Sequence, residues 1–362
     1  MITLLATVFV FGLVVFVHEL GHFIAAKRMG MRVDEFAIGF GPVIYQQRDG
    51  ETLYSLRLIP LGGFNKIYGM SREEAEGEST PSAALEGGNS SEELPDEPGR
   101  AFYEKPVLSK MIVIAAGSIM NFVLPIILFF IVLLGSGYDR PVEQAVVGKI
   151  FDNMPAATSG LAPGDRIVKI NDTPISTWPE LTATLKHKFD KPVVFTVVKD
   201  QTVREIKIQP NYDEKAQRSL IGISQATEKV KPGVLEAAQM AVTNTFKIAK
   251  GMIEGLANIV RGKAEADVAG PIGVAQMAGD VARTGIMNLL TFAAFLSINL
   301  GIINLIPIPV LDGGHLVDLA IEGVRGKPLS GKYRYAAQMV GIAILLGLMI
   351  FATANDIGKI FG

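Results

Sequence analysis

His18, Glu19 and His22 lie in "FVHELGHFIA", residues 16–25, two imidazoles four positions apart with a carboxylate next to the first. On a helix, residues i and i+4 project from one face about a turn apart, so both rings can reach a single divalent ion. In His-Glu-x-x-His the two histidines hold zinc and the glutamate handles protons beside it. The same spacing also occurs in soluble helices as a solvated face. Here the motif closes a charge-free run that begins at Met1. Ionisable groups at membrane depth are costly and usually functional, which favours the metal reading.

Two histidines do not complete a catalytic zinc site, which takes three protein ligands and keeps one position for water. The chain has four histidines, so only His187 and His315 remain. His187 falls in a segment that reads as soluble. The stretch "NLGIINLIPIPVLDGGHL" offers Asp312, the first charged group after the apolar run 284–311, with His315 three residues on as the alternative. Pro307 and Pro309 forbid a regular helix just before Asp312. Irregular backbone at membrane depth is tolerated only where protein or a wet cavity surrounds it.

These residues need a membrane scaffold. The 362 residues are 49% hydrophobic, with a mean hydropathy of +0.34. Charge-free runs cover 1–17, 111–138, 284–311 and 335–355, about the length that crosses a bilayer if the first continues through the His-Glu pair. The first run lacks a basic start and a small-residue cleavage site and reads as a retained helix. Lys27, Arg28 and Arg32 after the first run, and Arg325, Lys327, Lys332 and Arg334 between the third and fourth, mark those loops as cytoplasmic. There are no cysteines, hence no disulfides or thiolate ligands. Residues 71–100 hold nine acidic groups against Arg72 and Arg100 and no aromatic residue, the composition of a solvated loop. Nothing suggests a nucleic-acid partner.

Between these runs, "GPVIYQQRDGETLYSLRLIPLGGF" (41–64) has two extended segments around Asp49-Gly50, a hairpin-turn signal. Tyr54, Leu56 and Leu58 share one face; Leu53, Ser55 and Arg57 share the other. An edge strand here could pair the backbone of an unwound substrate helix, so Leu53–Leu58 is the candidate substrate strand. Residues 142–228 contain "AVVGKIF", "DRIVKIND", "PVVFTVVKD" and "VREIKIQP", short strands bounded by turn residues. Residues 233–262 have helical apolar spacing interrupted by charges, as an interfacial amphipathic helix does.

The stretch "NMPAATSGLAPGDRIVKINDTPI" resembles the PDZ family, with a small-residue helix, a Gly-Asp turn and a strand ending in Asn-Asp. That resemblance implies strand addition of an extended peptide, with Leu220, Ile221, Gly222 and Ile223 as the candidate peptide loop. The whole chain resembles the site-2 protease family of intramembrane zinc metalloproteases, in its bacterial branch with an extracytoplasmic PDZ domain. The family's His-Glu-x-x-His matches His18, Glu19 and His22. Its Asn-x-x-Pro-x-Pro-x-x-Asp-Gly matches Asn304, Pro307, Pro309, Asp312 and Gly313, and Gly117 with Asn121 matches a Gly-x-x-x-Asn element. Ser118 stands where the family would have proline, and is not expected to touch a ligand.

The resemblance implies one Zn²⁺ on His18, His22 and Asp312, Glu19 as general base, and Asn304, Pro307, Pro309 and Asn121 as substrate-positioning residues. It implies single-pass membrane proteins as substrates, with cleavage near the cytoplasmic side of a bacterial cell membrane and a possible extracytoplasmic peptide at the PDZ-like domain. A membrane zinc peptidase of another family would want a downstream glutamate ligand on a regular helix. A non-catalytic peptide receptor would have no use for Glu19. The expected fold is a polytopic α-helical membrane protein with about four transmembrane helices, a membrane-associated β-hairpin and one PDZ-like α+β domain. Its expected segments are a first transmembrane helix over 1–28, the hairpin over 33–68, an acidic loop over 69–104 and a second transmembrane helix over 106–138. The PDZ-like domain follows over 139–228, an amphipathic helix with linker over 233–283, and transmembrane helices over 284–322 and 333–358.

Overall fold

The structure is a computed structural model that describes residues 1–70, 97–187, 189, 191–214, 218–263 and 269–361. The acidic stretch 71–96, the body of the expected loop, lies outside the described residues. The chain divides into two compact units, Met1–Gly135 with Gly233–Gly362, and Ser136–Pro232.

The first unit opens with α1 (Ile2–Arg28). Its buried residues Ala6, Val10, Val14, His18, Gly21, His22 and Ala25 recur every three or four positions, so one stripe faces protein. Lys27 and Arg28 in the last turn suit the negative end of the helix dipole. Next come β1 (Val33–Asp49) and β2 (Thr52–Ile67). Their turn falls on Gly50-Glu51, because Asp49 pairs with Thr52; this is one residue later than the turn read around Asp49-Gly50.

The two long strands make four sheet segments. Val43–Asp49 runs antiparallel to Thr52–Arg57, and Val33–Ile38 runs antiparallel to Gly63–Ile67. Between them Glu35 pairs with Leu53, Phe36 with Tyr54, Ala37 with Ser55 and Ile38 with Leu56. Numbers that rise together define a parallel ladder. The chain bends back on itself where Gly39 and Gly41 have φ of 90° and 84°, backbone that L side chains rarely adopt. Leu53–Leu56 therefore has a partner on both sides, which corrects the reading of those four residues as an edge strand; Arg57 pairs with Val43 alone, and Leu58 has no ladder partner among the described residues. No further strand pairs with Gly63–Ile67 among the described residues.

The sheet docks on α1 through aromatic rings. Phe36 lies 5.9 Å from Phe16 and 5.2 Å from Phe23, and Tyr54 is 6.0 Å from Phe23, within the range of favourable aromatic pairs. On its other face Ser55 and Arg57 bond the Glu35 carboxylate. Phe40, Ile44, Tyr45, Leu56 and Leu58 are exposed.

The remaining helices of this unit are α2 (Val107–Ser136), α4 (Val234–Val260), α5 (Pro271–Arg283), α6 (Ile286–Asn304), α7 (Asp312–Arg325) and α8 (Gly331–Phe361). Among the described residues four helices are long and apolar enough to cross a membrane, over Ile2–Arg28, Val107–Ser136, Ile286–Asn304 and Gly331–Lys359. The span expected over 284–322 is two helices, α6 and α7, because Pro307 and Pro309 cannot continue α6. An ion pair joins two helices: buried Lys110 of α2 meets the partly buried Glu322 of α7 at 2.5 Å.

The second unit is β-rich. Strands β3 (Tyr138–Pro141) and β12 (Thr227–Val230) pair, as do β4 (Val147–Ile150) with β11 (Ile223–Gln225) and β9 (Asn211–Asp213) with β10 (Arg218–Leu220). An antiparallel sheet runs in the order β6 (Thr173–Pro174), β5 (Arg166–Ile170), β7 (Val193–Lys199), β8 (Thr202–Ile208). The short α3 (Trp178–Thr184) starts at a Thr177/Glu180 capping box. Ile167, Ile170, Leu181, Phe195, Val197, Ile208 and Ile221 fill the core. The small-residue helix expected near 154–160 is a 3-10 turn, Pro155–Thr158.

Candidate metal centre

The α1 stripe places His18 and His22 one turn apart against α2. The rings stand edge to face, 4.8 Å between centroids. His22 Nδ1 is 2.9 Å from the Val113 carbonyl oxygen. A carbonyl only accepts, so Nδ1 carries the proton and Nε2 presents a lone pair in the neutral ring. Gly117, one turn after Val113, permits this approach: a Cβ there would meet His22 Cε1 at 2.5 Å and Cδ2 at 2.7 Å.

His18 Nδ1 lies 3.1 Å from the Asn121 amide, which is fully buried. Asn121 Oδ1 is buried without a partner among the described residues. Turned over, the amide lets Oδ1 accept from Nδ1–H, the pattern seen at His22. Both Nε2 lone pairs then face one point.

Asp312 enters from the far end of the chain. After α6 ends at Asn304, the connector carrying Pro307 and Pro309 doubles back over the first turn of α7. Gly313 makes this possible, since a Cβ there would sit 2.5 Å from the Leu305 carbonyl oxygen. Asp312 opens α7, where the helix dipole favours a carboxylate. Its oxygens lie 3.6 Å from His18 Nε2 and 3.6 Å from His22 Nε2, and the two Nε2 atoms are 3.2 Å apart. All three ligand atoms fall within 4.8 Å of one another.

This triangle suits zinc. Bonds of 2.0–2.1 Å at tetrahedral angles put neighbouring ligand atoms about 3.3 Å apart. Two facing lone pairs and a carboxylate repel one another unless a cation or proton lies between them. A divalent ion held among these three groups would remove that repulsion. Asn304 Nδ2 is 3.3 Å from His18 Nε2, so its amide borders the same point. Pro307 and Pro309 shape the connector, and neither has a described contact with the three ligands.

Two residues at this centre escaped the sequence reading. Ser118 Oγ donates to Asp312 Oδ2 at 2.9 Å, which corrects the expectation that it touches no ligand. Asn65 Nδ2, on β2, donates to the Glu19 main-chain oxygen and to Glu19 Oε2, both at 2.7 Å. No local spacing signals either contact. None of Leu53, Tyr54, Ser55, Leu56, Arg57 or Leu58 has a described contact with the histidines or Asp312. In the second unit Leu220 ends β10, Ile221 is buried in the core, Gly222 has φ of 82° and Ile223 opens β11.

The chain is similar to known proteins along nearly all its length. A model of peptidase family M50 matches residues 6–348. The zinc metalloprotease RasP of Bacillus licheniformis is 35% identical over 419 residues, covering 99% of each chain. The regulator of sigma-W protease RasP of Bacillus subtilis is 34% identical, again over 99% of each. A putative zinc metalloprotease, R01501 of Rhizobium meliloti, is 34% identical over 98% of this chain and 96% of its own. Among solved structures, a PDZ domain of an SdrC-like protein from Listeria monocytogenes covers 24% of this chain at 20% identity, with a TM-score of 0.21, and carries no argument about the fold. With a family match across residues 6–348 and relatives of this identity end to end, the chain belongs to peptidase family M50, the site-2 protease family of metalloproteases.

Proposed function

We propose that the protein is an intramembrane zinc metalloprotease that hydrolyses peptide bonds in or near transmembrane segments of single-pass membrane proteins. The observation that carries this reading is the convergence of His18, His22 and Asp312, beside Glu19, among long apolar helices. His18, His22 and Asp312 would hold one Zn²⁺. When bound, zinc supplies Lewis-acid polarisation of the scissile carbonyl and lowers the pKa of a water to about 7. Glu19 takes the proton from the attacking water and passes it to the leaving amine. Asn304, with its amide at the ligand cluster, orients the substrate carbonyl. Asn121 and Ser118 hold His18 and Asp312 in place.

A substrate helix must unwind to expose its scissile bond, and unpaired backbone groups near lipid cost several kcal/mol each. The open edge at Gly63–Ile67, whose Asn65 bonds Glu19, is the segment suited to pair them. Lys27, Arg28, Arg32 and the basic residues from Arg325 to Arg334 support a catalytic end on the cytoplasmic side of a bacterial membrane. The second unit would then be extracytoplasmic and select substrates as a PDZ-like domain, with Leu220–Ile223 taking an extended peptide.

The test is metal analysis with cleavage of a transmembrane substrate. Wild type should hold about one zinc per chain, and Glu19→Gln should keep it while losing cleavage. Asp312→Ala should lose much of both. Full zinc retention in Asp312→Ala, with zinc lost instead in His315→Ala, would overturn the ligand assignment.

A further inference from the structure

We propose that Asn65 is the positioning residue for Glu19, and that the β2 strand thereby sets the geometry of the proton-transfer group. The inference rests on the reading of Glu19 as general base. One amide nitrogen, Nδ2, spans the main-chain oxygen and the Oε2 of the same glutamate, each at 2.7 Å. This bridge closes the Glu19 side chain onto its own backbone and removes the rotamer freedom that a long carboxylate otherwise keeps.

The amide orientation follows from its partners. Both are acceptors, and the reversed amide would put Oδ1 against two oxygens. Asn65 Oδ1 is buried without a partner, so among the described residues both hydrogen bonds of this side chain go to Glu19. It therefore does nothing for the sheet, where an ordinary structural asparagine would cap a turn or bond a neighbouring strand. Nδ2 engages Oε2, and no described residue hydrogen-bonds Oε1. The strand backbone lies against the same side chain, since a Cβ on Gly63 would come 3.2 Å from Glu19 Cγ. Residues 63 and 65 thus bracket Glu19 from the segment whose edge no described strand pairs. A substrate strand paired there would add hydrogen bonds to the element that orients the base, so binding and alignment occur together.

A misplacement of about 1 Å in a reacting group can cost about 100-fold in rate. The experiment uses the intact protein in lipid vesicles with a fluorogenic transmembrane substrate, comparing wild type, Asn65→Leu, Asn65→Gln and Glu19→Gln. Asn65→Leu keeps the side-chain volume but has no donor. Its kcat should fall about 10- to 100-fold, with KM within about twofold and one zinc per chain retained. Asn65→Gln restores an amide N–H and should recover at least part of that loss. Wild-type kcat in Asn65→Leu would overturn the proposal, and so would a loss carried by KM alone or by zinc. No recovery in Asn65→Gln, with zinc and thermal stability intact, would also count against it. A wild type that holds zinc yet cleaves no faster than Glu19→Gln would instead refute the protease reading itself.

Discussion

Gly117→Ala separates the metal-centre reading from ordinary helix energetics, because the two predict opposite signs. In the interior of α2, alanine for glycine should stabilise the helix by roughly 0.5–1 kcal/mol. At this position the added Cβ would lie 2.5 Å from His22 Cε1 and 2.7 Å from Cδ2, with Nε2 closer still. Carbon atoms rest about 3.5–4.0 Å apart, so the ring must retreat by about 1 Å. The bond from His22 Nδ1 to the Val113 carbonyl oxygen at 2.9 Å opposes that movement, and losing it costs about 1 kcal/mol. Metal–ligand distances tolerate only about 0.2 Å. Zinc affinity should therefore weaken by at least about 100-fold, or about 2.8 kcal/mol, while the helix itself is no less stable. The assay is competitive zinc titration of the purified protein against a chelator, with thermal unfolding of the metal-free form in parallel. Gly347→Ala is the control, since nothing lies within 4 Å of a Cβ there. Wild-type zinc affinity in Gly117→Ala would refute the placement of the His22 ring against α2.

Ser118→Ala removes the donor to Asp312 without leaving a large cavity, so zinc should bind about 10- to 100-fold more weakly with little change in metal-free stability. In the second unit, Asp165 is fully buried and accepts from the Ala162 N–H at 2.9 Å and Arg204 at 2.7 Å. Asp165→Ala should destabilise that unit by roughly 1–3 kcal/mol, read by hydrogen exchange of β5 and β8, and leave zinc content unchanged. Burial works to raise the Glu51 carboxyl, but hydrogen bonds from Arg100 and Lys27 outweigh it and hold the group below the usual carboxylate range. With a depressed folded value, the contribution is present above the unfolded pKa and is lost as pH falls through the folded one. The protection factor of the amides at the Gly50-Glu51 turn, taken against the intrinsic exchange rate at each pH, should fall on acidification in wild type, and Glu51→Gln should show low protection already at neutral pH.

Features with a short sequence period were legible without coordinates. His18 and His22 share a helix face by spacing alone, and the four apolar runs carry their hydropathy in consecutive residues, so helices of spanning length follow from composition. Pro307 and Pro309 likewise announce a break between α6 and α7. The strands of the second unit were visible as alternation, because one face of each is buried. A helix was expected at Pro155–Thr158, where the small residues make only a 3-10 turn, since so short an apolar segment carries no decisive period.

What only the tertiary structure decided is which distant groups meet. Ser118 and Asp312 are 194 positions apart, and Glu19 and Asn65 are 46 apart. A serine in one apolar helix and an asparagine near the end of a strand carry no local mark of such partners. The hairpin makes the same point through register. Alternation correctly sorted Tyr54, Leu56 and Leu58 from Ser55 and Arg57, because the pleat has a period of two whichever strands lie alongside. Which edge stays open depends instead on the bend at Gly39 and Gly41 and on Val33–Ile38 returning between the two arms of β2. Sequence periodicity thus determined which face of each element is apolar, and long-range packing decided which backbone edge and which polar side chains stand beside His18, His22 and Asp312.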